Sequence, residues 1–184
     1  MRAAIRRMLL LCGGPVVMSL LGFGQPGLAA AQGQSPGART NPPEPDRFVR
    51  FALSSAILQE KVSELAASRD TRPEVRAFAR DMERFRNQQI ARLRTLAQGR
   101  GQRMPEQQDF EHRVLLENLE PLDHLELSRR YAEVQVQALE QEIQGYTAAT
   151  QAADEGVKEY AAAILPELQR RLEAALRVHD AVKP

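Results

Sequence analysis

Residues 71–99 read TRPEVRAFARDMERFRNQQIARLRTLAQG. Within this stretch Val75, Phe78, Met82, Arg86, Ile90, Leu93 and Ala97 recur every three or four positions, so they share one face of an α-helix. Thr71 and Glu74 have the spacing of a capping box. Pro73 falls in the first turn, where its missing N–H would have had no partner anyway. Gly99 and Gly101 stop the helix. The stripe is apolar except at Arg86, in its centre.

The flanking sequence repeats the pattern. Upstream, Phe48, Phe51, Ser55, Leu58, Val62 and Leu65 mark a helix that Asp46 would cap and that ends near Arg69. Downstream, Pro105 opens a short helical piece that runs to about Asn118, and Pro121 interrupts it. A long segment from Leu122 to about Gln151 follows, with Leu125, Ser128, Ala132, Gln135, Leu139, Glu142 and Tyr146 on one face. Asp154 would cap a last helix that carries Val157, Ala161, Ile164, Leu168, Leu172 and Ala175, with a kink at Pro166. No segment alternates with period two. Four long amphipathic helices can bury their stripes against one another. The expected fold over residues 46–184 is therefore all-α: an antiparallel four-helix bundle with a short extra helix between the second and third long helices.

The N-terminus has a different composition. Arg2, Arg6 and Arg7 precede an apolar run from Met8 to Phe23, and Ala29, Ala30 and Ala31 supply small residues for cleavage. Residues 1–31 thus read as a secretory signal peptide, which places the product in the periplasm or outside the cell. The run is short for a spanning helix and is broken by Gly13, Gly14 and Pro15, so no membrane span is expected after cleavage. Leu9, Leu10 and Leu11 before Cys12 do not fit a lipoprotein site. Residues 32–45, with Pro36, Pro42, Pro43 and Pro45, read as a flexible linker. Cleavage after Ala31 would remove Cys12, the only cysteine, and leave 22 basic against 24 acidic side chains. A disulfide is then excluded, and nothing electrostatic favours nucleic acid.

Catalytic signatures are missing from the sequence. His112, His124 and His179 stand apart, and the Glu-x-x-His spacing of di-metal bundles does not occur. The serines lack a nucleophile elbow, and no Gly-rich loop could cradle a phosphate. No catalytic, cofactor-binding or metal-binding residue is assigned, and no cofactor is expected. The unusual residues are polar ones on apolar stripes: Arg86, Gln135 and Glu142, with Gln59, Gln89 and Arg171 at stripe edges. The cost of burying guanidinium groups favours Leu139 in the core with Arg86 and Arg171 snorkelling outward. The alternative is an internal Arg86–Glu142 pair, with Arg171 nearby to hold an anion.

Several of these residues also form a familiar set. Phe48-Val49 with Leu65-Ala66, the run from Pro73 to Met82, Leu93 to Ala97, Tyr131, and Leu165-Pro166-Glu167-Leu168 together resemble a bacterial family called domain of unknown function 4142. The resemblance covers roughly Asp46 to Asp180. It implies an exported protein with a ferritin-like helical bundle. It also implies polar positions that this chain replaces: Asp-His becomes Phe85-Arg86, two further histidines become Leu139 and Arg171, and a glutamate becomes Gln59. A histidine-based metal or acid–base site would then be lost. The function expected is a non-catalytic exported bundle with a protein or envelope partner. The alternatives are a ferritin-like metal or redox protein, or an anion-binding bundle using Arg86 and Arg171.

Overall fold

A computed structural model describes residues 44–103 and 110–183. The expected leader, most of the linker and the start of the short helix at Pro105 lie outside the described residues. The helices are α1 (Pro45–Arg69), α2 (Pro73–Gly99), α3 (Phe110–Leu119), α4 (His124–Ala149) and α5 (Glu155–Val182). The four long ones have 25 to 28 residues, about 40 Å each at 1.5 Å per residue. No strand occurs among the described residues.

The contacts at the two ends of the bundle fix its topology. At one end, Arg100, just past α2, bonds Asp46 at the start of α1 and Asp154 at the start of α5. Nearby, the Phe48 ring meets Tyr146 of α4 edge-on at 5.0 Å. At the other end, Arg69 of α1 donates to the carbonyls of Glu120 and Leu122 ahead of α4. There too, Arg72 and Arg129 donate to Ala181 and Val182 in the last turn of α5, at 2.8 and 2.9 Å. So α1 and α5 run one way, and α2 and α4 the other. The packed pairs are α1 with α2, α1 with α4, α5 with α4, and α5 with α2; each is antiparallel. The chain must therefore cross the full length of the bundle between α2 and α4, and α3 lies on that crossover.

Three local expectations are corrected. Helix α1 starts at Pro45, with Glu44 in the capping position, so Asp46 belongs to the first turn. The capping box at Thr71 does not form. Arg72 precedes α2, and its N–H is taken at 2.8 Å by the buried Asp70 carboxylate, whose other oxygen accepts from Ser128 Oγ at 2.7 Å. The inner face of α1 also differs from the apolar stripe. Ala52, Ala56, Gln59, Ser63 and Ala66 are fully buried, while Phe51, Ser55 and Leu65 lie at the margin. Phe48, Leu58 and Val62 of the expected stripe are buried beside them, as are Val49 and Leu53, and the small side chains let α1 sit close to its neighbours. Asp154 does cap α5, accepting from Val157 N–H at 2.9 Å. Helix α5 continues through Pro166 to Val182.

A buried polar centre as candidate functional site

Arg86 projects from the middle of the α2 stripe into the bundle and is completely buried, as is Glu142 on α4. The guanidinium meets the carboxylate end-on: Nη1 donates to Oε1 at 3.0 Å and Nη2 to Oε2 at 2.7 Å. Each of these nitrogens donates a second time. Nη1 reaches Gln89 Oε1 at 2.6 Å, and Nη2 reaches Gln59 Oε1 at 2.5 Å. The four N–H bonds of the two terminal nitrogens are thereby used, and Nε is the one left without a partner. Both glutamine amides are oriented by what their nitrogens do. Gln59 Nε2 donates to Ser55 Oγ at 3.0 Å, and Gln89 Nε2 donates to the Tyr146 hydroxyl at 2.8 Å.

This arrangement corrects the expectation that Arg86 snorkels outward. Burying a lone guanidinium is prohibitive, but a bidentate carboxylate and two amide oxygens replace nearly all of its water. Gln59 and Gln89, expected at stripe edges, are central members. Leu139 is in the core as expected. Arg171 is about four-fifths buried and pairs with Asp81 on α2. Its guanidinium stacks over the Phe85 ring at 4.2 Å, and Arg86 approaches the same ring at 5.0 Å. Phe85 therefore offers its electron-rich ring to two cations. Of the five positions singled out, Gln59 and Arg86 bond directly, Phe85 has both Arg86 and Arg171 over its ring, and Leu139 sits one turn before Glu142.

A second polar group lies along the same core. Ser63 Oγ and the Tyr131 hydroxyl are 3.0 Å apart, and Gln135 Nε2 approaches Ser63 at 3.5 Å. Burial pushes the phenols of Tyr131 and Tyr146 well above their ordinary value and that of Tyr160 up to about 12, because desolvation disfavours phenolate. Tyr131 and Tyr146 are thus neutral hydrogen-bonding groups.

The centre does not suit a divalent metal. Glu142 is its only carboxylate, both of its oxygens are held by Arg86, and a permanent cation occupies the space a metal would need. Among the described residues, no three His, Cys, Asp or Glu side chains converge as a metal site would require. Nor is Arg86 open to an external anion, since its forks are filled from within.

Fold and interior together define an all-helical bundle with one long crossover and an internally paired polar core. The chain belongs to the family described as domain of unknown function (DUF4142), whose model matches residues 29–178. That match covers most of α1 to α5 and begins ahead of the helical domain. No curated protein and no solved structure matches the chain.

Proposed function

We propose that this chain is an exported, non-catalytic bundle of ferritin-like topology that works in the bacterial envelope through binding rather than chemistry. The observation that carries the reading is the closure of the Arg86 centre. The polar groups that four-helix bundles direct inward for cofactors are here engaged with one another. The single crossover between α2 and α4 supports the ferritin-like topology. Export rests on the leader at residues 1–31, and the absence of cysteine after the cut suits a protein stabilised by packing alone.

The test has two parts. Mass spectrometry of the protein recovered from its host should give a mature N-terminus near Gln32 in the periplasmic fraction. Intact Met1 in a membrane fraction would overturn export. Elemental analysis of the same preparation should find no stoichiometric iron, manganese or zinc. About one dialysis-resistant metal per chain would favour a redox protein instead.

A further inference from the structure

Where α1, α4 and the first turn of α3 meet, the surface forms a cleft of about 370 Å³, within the size range of small-ligand sites. Helix α1 supplies most of it: the polar Arg47, Arg50, Ser54 and Ser55 with the apolar Phe51 and Leu58. His112 of α3 closes the wall, its Nδ1 3.1 Å from Ser54 Oγ. Ala138 and Gln141 of α4 complete the opposite side.

Among the described residues of the cleft the permanent charges are two arginines. No carboxylate is among the described residues of the cleft, and neither Arg47 nor Arg50 has an acidic partner among the described residues. A hollow on another face, lined by Glu126, Arg129, Arg130 and Glu133, differs in this respect: there Arg130 pairs with Glu133 at 3.0 Å. The two cleft arginines are three residues apart, so their guanidinium groups lie on the same side of α1. The apolar wall is fixed by Gly145, where a Cβ would come within 2.8 Å of the Phe51 ring. The absent side chain lets the ring settle against α4.

We propose that this cleft binds a small organic anion, a carboxylate or phosphate ester carrying an apolar group. Arg47 and Arg50 hold the head, and Phe51 and Leu58 face the apolar part. Guanidinium forks match both oxyanions, so head-group identity is left to the binding assay. The cleft adjoins the buried Arg86 centre through Ser55, which accepts from Gln59 at 3.0 Å, but its arginines are not those of the centre and the assignment does not depend on the envelope reading.

Calorimetric titration of the protein, expressed from its full-length sequence, tests the assignment with four probes: benzoate, phenyl phosphate, inorganic phosphate and benzyl alcohol. Saturable binding of benzoate or phenyl phosphate is expected, the tighter one naming the head group, with inorganic phosphate and benzyl alcohol clearly weaker. Replacing both cations (Arg47→Gln with Arg50→Gln) should weaken binding by about tenfold or more, as loss of charged hydrogen bonds does. Ala138→Phe should fill the cleft and abolish binding while the protein keeps its helical spectrum. Failure of both aromatic anions to saturate at millimolar concentration overturns the proposal. So does unchanged affinity in the double arginine variant, or equal affinity for benzyl alcohol or inorganic phosphate.

Discussion

Arg86 shows how a charge can be native to an apolar core. Its two terminal nitrogens make four hydrogen bonds to Glu142, Gln59 and Gln89, drawn from α4, α1 and α2. Arg86→Met removes all of them and leaves Glu142 as an unpaired buried carboxylate. The expected loss is about 3–5 kcal/mol in a denaturant melt. Adding Glu142→Leu should recover only part of it. The second change removes the stranded charge, but the Gln59 and Gln89 oxygens still lack a donor, at about 1–3 kcal/mol for such a group. Full recovery would mean the glutamines find other partners. The sequence exposed Arg86 and Glu142 as misfits on their stripes, and so allowed their pairing as an alternative. It could not rank that pairing above snorkelling. The ranking depends on Gln59 and Gln89, which look like ordinary boundary residues until three helices place them around one guanidinium.

At the scale of elements, helix existence was legible and helix faces less so. The stripes of α2 and α5 are marked by large apolar residues, most of them buried, while that of α4 interleaves Leu139 and Tyr146 with the buried Ser128, Ala132, Gln135 and Glu142. On α1 Phe48, Leu58 and Val62 of the stripe are buried, but the contact also uses Ala, Ser and Gln, which carry little hydrophobic signal, so Phe51 and Leu65 were read as inner when they lie at the margin. The Phe51 ring then packs over Gly145, which gives a test of that placement. Gly145→Ala should gain about 1 kcal/mol of helix propensity and lose about 1–3 kcal/mol to overpacking. A net loss of stability is expected in wild-type background, turning to a gain when Phe51→Leu removes the ring. Thermal melts of the single and double variants decide it. The α5 cap gives a second test. Backbone N–H donation from Val157, then Arg100, holds the Asp154 carboxyl below its ordinary value of 3.8. A depressed carboxylate pKa contributes stability that is complete above the unfolded value and is lost as pH falls through the folded one. Asp154→Ala should cost about 1–2 kcal/mol at neutral pH, as for other lost caps. The difference from wild type should shrink as the pH is lowered below 3.8.

The whole molecule depends on how its four helices are ordered, and there the sequence was silent. Periodicity shows which face each helix buries but not which helices are diagonal. The crossover became visible only from contacts joining distant ends, such as Arg100 with Asp46 and Asp154. A property of the entire core follows from that packing. The protein has three tyrosines and no tryptophan, and the phenols of Tyr131, Tyr146 and Tyr160 are all raised above their ordinary value of 10.0, chiefly by burial. In the unfolded chain they would ionise near that ordinary value, while in the fold they stay protonated. The unfolded state therefore binds fewer protons above pH 10, and stability must fall as pH rises from there toward the folded values. Phenolate absorbance from the fully buried Tyr131 and Tyr146 should stay near zero on raising the pH until the helices melt, and should then appear with the loss of helical circular dichroism, whereas the partly buried Tyr160 should ionise first, near its raised value of about 12. Phenolate signal from Tyr131 or Tyr146 near pH 10 in the still-helical protein would show that ring to be open to water, and would break the sealed core on which the Arg86 centre depends.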